Sequence, residues 1–328
     1  MGRRPIGSAR WRLHIPRCAE RLGSPGGRQP CASVDERSPR EVRILFTERI
    51  RRHQLVAFFV LAYSISAVAF GVYIATPNLP FVPFWLVGIF SPTLAALAVA
   101  GLVGGSAEVG RLLSGFTRWR IGWRWYLASA VLMLGPLALA MGWMALGNTP
   151  PGFAPGVTAW FLAGQLAYTA ISGPLAEEAG WRGFALPRLQ ARLGALSASI
   201  VLGTLWAFWH VPQYFLPTTT MIPFPIFVPQ VIALAILFTW IYNNTCGSLV
   251  ATVLAHFWFN FSGAFLAGWL GLLPPMLLYV GGGIMAAVLT VVVVVFAGPR
   301  CLSRRPVADL PFERRELSVP ARVSDAVL

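Results

Sequence analysis

The sequence predicts an all-α fold, a polytopic membrane bundle of about eight transmembrane helices, from three observations. The chain is 56% hydrophobic and 12% charged, with a mean hydropathy of +0.64; a soluble domain of this size is about 25% charged. Apolar runs recur at about the 20-residue length that crosses a bilayer core of about 30 Å. Charge is segregated: all 26 basic residues are arginine, with thirteen in residues 1–52 and six after Gly298.

The predicted order begins with a basic segment over 1–52, rich in Arg, Gly, Pro and Ser and expected to be disordered. No apolar stretch precedes the first span there, so no cleavable signal peptide is expected. A transmembrane domain follows over 53–299, and a basic tail over 300–328. Spans are read near 54–76, 83–104, 125–146, 158–181, 195–215, 226–243, 248–268 and 274–297, with breaks rich in Pro, Gly and Asn. Arginines mark the connections 105–124 and 182–194, whereas those near 77–82, 147–157, 216–225 and 269–273 carry no charge. This alternation, broken by the short uncharged turn at 244–247, follows the positive-inside rule and places both termini in the cytoplasm of a multi-pass cell-membrane protein. The stretch Gly110–Trp125, which mixes Arg with Trp and Leu, is expected along the inner interface. The same arrangement assigns the basic charge to membrane lipid as partner and argues against nucleic acid. The four cysteines, Cys18, Cys31, Cys246 and Cys301, show no CxxC spacing and are expected as free thiols.

Ionisable groups inside a span are costly and mark function. Between Gln54 and Pro299 the acidic residues are Glu108, Glu177 and Glu178. Glu108 is expected at the interface. Glu177 and Glu178 stand in the run Gly173–Gln190, "GPLAEEAGWRGFALPRLQ". Glu178 and Arg182 are i, i+4 and can pair on one helical face. Glu177 is turned by about 100° from Glu178 and can face a cavity. His256 and Asn260 are also i, i+4, and His210 closes "WAFWH". Three helices thus each bring a polar face, as in an active site built from facing helices. HExxH, paired Asp and GxSxG are all missing, which removes the usual zinc, aspartate and serine motifs. At about 1.5 Å per residue, His210 lies about 22 Å along its span, Glu177 about 15 Å deep and His256 about 12 Å, so offset or tilted helices are required.

"EEAGWR" fits EExxxR, "HFWFN" fits HxxxN, and "WAFWH" fits FxxxH except that Trp206 replaces Phe. Over about 160–265 the chain resembles the CAAX-protease and bacteriocin-processing (CPBP, or Abi) intramembrane endopeptidases, and within them the type II CAAX prenyl endopeptidases. The resemblance implies a peptide bond cleaved in a membrane-associated peptide or protein substrate, prenylated or bacteriocin-like. It implies Glu177 as general base with His210 activating water, and His256 with Asn260 stabilising the oxyanion. Glu178 and Arg182 would hold the helix and carboxylate in place. Trp206 is expected to serve packing. The family's metal is disputed. By chemistry Glu177, His210 and His256 could form a His₂Glu set for a divalent metal such as zinc. Other readings stay open: Glu178–Arg182 as a structural ion pair, the histidines and Asn260 as interhelical ties, and a proton-coupled transporter or channel built on buried Glu, Arg and His.

The topology is tested by reporter fusions within Gly147–Gly156 and within Leu216–Pro225. Both should report the outer side; an inside signal at either contradicts the eight-span arrangement.

Overall fold

A computed structural model describes residues 39–147, 157–216, 222–263, 275–305 and 310. The compact unit is Ile44–Leu328; a separate unit, Met1–Arg43, contributes only the start of the first helix to the described residues. The described residues contain helices and no strand. The long helices are α1 (Pro39–Arg52), α2 (Gln54–Ala75), α3 (Phe81–Leu113) and α4 (Trp123–Ala145). A segmented helix comes next: α5 (Ala159–Ala170), a π segment (Ile171–Leu175), α6 (Ala176–Glu178), a second π segment (Ala179–Ala185) and α7 (Leu186–Leu193). It is followed by α8 (Ala195–Trp209), α9 (Phe224–Asn244), α10 (Leu249–Gly263) and α11 (Pro275–Ala297).

A helix occupies each of the eight predicted runs, but the count of eight spans is not confirmed. Five described helices are long and apolar enough to cross a membrane: Gln54–Ala75, Phe81–Thr117, Ala195–Phe215, Phe224–Asn244 and Tyr279–Ala297. Two of the others fall short for visible reasons. The seventh predicted span is α10, of 15 residues, and the fourth is cut into short pieces by its π turns. Most of the uncharged connections at 147–157 and 216–225, all of 269–273, and Cys18 and Cys31 lie outside the described residues. Cys246 and Cys301 are free thiols.

The bundle is built from helix pairs: α2 on α3, α4 on α10, α8 on α9 and α9 on α11. The segmented helix is the middle layer, packed on α3 through α6 and the second π segment, and on α10 through the first. One core holds it there, centred on the buried Phe58, Trp181, Phe184, Trp206, Trp209 and Phe238. The approach of α3 is close because Gly180 has no side chain. A Cβ there would lie 2.5 Å from both the carbonyl carbon and the oxygen of Pro92.

Polar ties join the ends of several helices. Glu108, expected at the interface, is buried between α3 and α7. Its Oε1 accepts from Arg188 Nη2 at 2.9 Å, and Oε2 pairs with Arg111. Arg188 also donates from Nε to Gln54 Oε1 at 2.9 Å and lies 3.7 Å over the Phe184 ring, so one guanidinium joins α2, α3 and α7. Asn243 and Asn244 anchor the strap after α11. Asn243 Nδ2 donates to Cys301 O at 2.7 Å, and Asn244 Nδ2 to Leu302 O at 3.0 Å. Within Gly110–Trp125, Arg118, Trp119, Arg120, Trp123 and Arg124 are exposed.

Gly180→Ala should force α3 away from the segmented helix. The expected cost is about 1–3 kcal/mol, the scale of overpacking, read as a lowered thermal midpoint in detergent. An unchanged midpoint would mean that this contact does not set the helix spacing.

Candidate active site

The site forms where the segmented helix meets α8 and α10. Its local cause is the pair of π segments around Ala176–Glu178. A π turn inserts a residue into the helical repeat, re-aims the side chains that follow it and frees carbonyls, and such turns concentrate at functional sites. The Ala176 carbonyl accepts from Thr93 Oγ1 of α3 at 2.7 Å. Glu177 is 4% exposed, and Glu178 and Arg182 are 0% exposed, so all three must find partners within the protein.

The two glutamates find different partners. Glu178 Oε1 accepts from Arg182 Nη1 at 2.8 Å and from His256 Nδ1 at 2.9 Å. The remaining guanidinium nitrogens, Nε and Nη2, have no hydrogen-bond acceptor. Their positive charge is instead held between rings, with the guanidinium carbon 4.2 Å from the Trp206 centroid and 4.7 Å from that of Phe238. Glu177 is held by indoles. Its Oε2 accepts from Trp206 Nε1 at 2.6 Å and from Trp181 Nε1 at 3.2 Å. The offset anticipated from helical rise does not keep α8 away, since Trp206, one turn before His210, reaches Glu177 directly.

Glu177 Oε1 lies on the side of Gly173. The three atoms nearest to the position of a Cβ on Gly173 are Asn260 Nδ2 at 2.9 Å, His256 Nε2 at 3.4 Å and Glu177 Oε1 at 3.5 Å. A carboxylate oxygen, an imidazole nitrogen and an amide nitrogen, from two elements, therefore surround one point. His210 stands to one side, part-buried against Trp209 and Phe227 at ring distances of 4.8 and 5.0 Å. Its ring and that of His256 both lie against Trp206, at centroid distances of 6.1 and 5.3 Å.

Backbone and carboxylate partners fix the histidine tautomers. His210 Nδ1 lies 2.8 Å from Trp206 O. A carbonyl only accepts, so Nδ1 carries the proton and the neutral ring keeps its lone pair on Nε2. His256 Nδ1 likewise donates to Glu178. Neutral His256 then presents a lone pair at Nε2, and it can donate from that atom only as the imidazolium.

All six predicted site residues lie in this region, with Glu177, His256 and Asn260 sharing one space and Glu178 and Arg182 forming the supporting pair. A His₂Glu metal set from Glu177, His210 and His256 does not form: among the described residues no three His, Cys, Asp or Glu side chains are placed to hold a metal ion. The His210 ring is packed against Trp209 and Phe227. The structure also corrects the reading of Trp206 as packing alone, since its N–H bonds the carboxylate. Trp181, Phe238 and Gly173 go unnoticed in the sequence. A signal existed for Trp181, which is i+4 from Glu177; none existed for the other two.

Residues 158–262 match the family model "Type II CAAX prenyl endopeptidase Rce1-like". The matched segment is Rce1-like. It takes in both glutamates, Arg182, Trp206, both site histidines and Asn260. "CAAX prenyl protease 2" of Methanococcus maripaludis is 30% identical over 101 residues, which is 28% of this chain and 36% of that protein. The match thus spans about a third of the relative's length, and the flanking helices of the bundle fall outside the Rce1-like segment.

Breaking a buried ion pair by removing one partner costs about 3–5 kcal/mol. Glu178→Ala should therefore lower the thermal midpoint strongly, because it leaves Arg182 charged and buried. Glu177→Gln, which keeps an acceptor for the indoles, should leave the midpoint close to wild type. Equal midpoints for the two variants would contradict the division of labour between the carboxylates.

Proposed function

We propose that the protein is a membrane endopeptidase in which Glu177 activates water for attack on a peptide carbonyl at the space over Gly173. The observation that carries this reading is the convergence of Glu177 Oε1, His256 Nε2 and Asn260 Nδ2 on that one point. Water between Glu177 and His210 gives a proton to the carboxylate as its oxygen bonds the carbonyl carbon. The carbonyl π electrons move to oxygen, and the Asn260 amide donates to the oxyanion. His256 adds a second donor when it is the imidazolium. Collapse of the tetrahedral intermediate breaks the C–N bond, and the proton on Glu177 passes to the leaving amine. A carboxylate can serve both steps because it first takes and then returns one proton. Donors preset in a water-poor site stabilise the oxyanion without reorganising.

The substrate is a membrane-associated peptide or protein. The relative's name supports a prenylated CAAX terminus as the first choice, with a bacteriocin-like precursor as the second. Both termini lie in the cytoplasm, the site opens toward that half of the bilayer, and lipid surrounds the bundle. Proton-coupled transport is less favoured, because the match over 158–262 is to an endopeptidase family and the buried charges close on one another within a single cluster.

The test is cleavage by the full chain, purified in detergent, of farnesylated CAAX peptides and of membrane-anchored peptides lacking the prenyl group. Glu177→Gln should lower turnover by at least about 10²-fold, the scale of a lost general base. Asn260→Ala should lower it by about 10²–10³-fold with little change in substrate affinity, as for a lost oxyanion donor. Gly173→Ala should also suppress turnover, because its methyl fills the reacting space. Near-normal cleavage by Glu177→Gln would overturn the proposal.

A further inference from the structure

We propose that Trp206 is a positioning residue for Glu177, and that its indole N–H, more than its aromatic bulk, is what the site requires. This inference rests on the endopeptidase reading above and adds to it a residue whose expected role was packing.

Three contacts meet on this one side chain. Its N–H edge donates to Glu177 Oε2 at 2.6 Å. Its face covers the Arg182 guanidinium at 4.2 Å. Its ring also meets the His256 ring, with centroids 5.3 Å apart at 79°. Trp206 is 3% exposed and sits on α8, so these contacts tie a second helix to the carboxylate. The other donor, Trp181, lies on Glu177's own helix and at a longer 3.2 Å. It can steady the carboxylate, but it cannot register α8 against it.

The geometric consequence lies in the other oxygen. A glutamate carboxylate turns easily about its terminal torsion, which has broad, roughly two-fold wells. Two indole N–H groups on Oε2 remove that freedom and leave Oε1 over Gly173, beside His256 and Asn260. The ring's roles can be separated from the N–H. Phe238 already covers Arg182 from 4.7 Å and lies 5.6 Å from His256, so a phenyl ring at 206 would still complete the aromatic enclosure. It would donate nothing to Glu177. Because the phenyl ring keeps most of the buried apolar surface, Trp206→Phe should fold.

The experiment is a double-mutant cycle on the full chain in detergent, combining Trp206→Phe with substitutions of Glu177. Trp206→Phe alone should lower kcat by about 10–100-fold, the scale of a hydrogen bond to a charged group. KM should stay near wild type, and the pH dependence of kcat should shift. In the Glu177→Gln background, Trp206→Phe should cause no further loss, since residues acting as one unit are not additive. Trp206→Phe with wild-type kcat and pH profile would overturn the proposal, as would a loss that simply adds to that of Glu177→Gln. Thermal midpoints give a readout independent of cleavage. Trp206→Phe should shift the midpoint in the Glu177 protein and shift it by a different amount with Glu177→Leu, which has no acceptor. Equal shifts in both backgrounds would remove the contact. If no tested peptide is cleaved but the midpoints remain coupled, the endopeptidase reading falls and the Trp206–Glu177 contact stands.

Discussion

The architecture of the site depends on keeping the Glu178 carboxylate charged and the Arg182 guanidinium charged where neither can reach water. Both are fully buried, and each would be prohibitively costly alone. Their direct bond cancels the net charge, and His256 takes a second hydrogen-bond position on the same oxygen. The guanidinium nitrogens that remain unbonded face Trp206 and Phe238. This settles why α8, α9 and α10 gather around the segmented helix. Each contributes a group to the enclosure of that pair, and His256 is orientated as a by-product.

The glutamates are adjacent in sequence but work in different surroundings. Glu178 faces the Arg182 guanidinium and the His256 N–H. Glu177 faces two indole N–H groups, which are neutral donors, and keeps one oxygen available over Gly173. The π segments on either side of Ala176–Glu178 are what permit neighbouring carboxylates to face such different environments within one helix. The close contact of Gly180 with Pro92 keeps this irregular helix pressed on α3, so that its irregularity does not become mobility.

Aromatic residues do more here than fill space. Trp181, Trp206 and Phe238 supply donors and π faces to groups that water would otherwise solvate. That solution suits a membrane-embedded site, because each ring presents an apolar exterior to the bundle and a polar handle or electron-rich face to the charged interior. The same chemistry bears on the metal question. Among the described residues no three His, Cys, Asp or Glu side chains are placed to hold a metal ion, and the cluster is organised around hydrogen bonds.

By itself the sequence determined the fold class and the segregation of arginine, and it singled out six polar residues that lie in one region of the structure. These follow from composition and from i, i+4 spacing, which act over one or two helical turns: Glu178 with Arg182, and His256 with Asn260. It did not determine how many helices are long enough to span, because the π breaks after Ala170 leave no signature in hydropathy. Nor did it pair Glu108 with Arg188, which lies 80 residues away. Only the tertiary structure decided that Trp206 bonds Glu177, that His210 packs among aromatic rings, and that Glu177, His256 and Asn260 converge beside Gly173. The physical reason is common to all three. Each depends on the rotation and depth of one helix against another, which close packing sets to within ångströms and local sequence patterns do not encode.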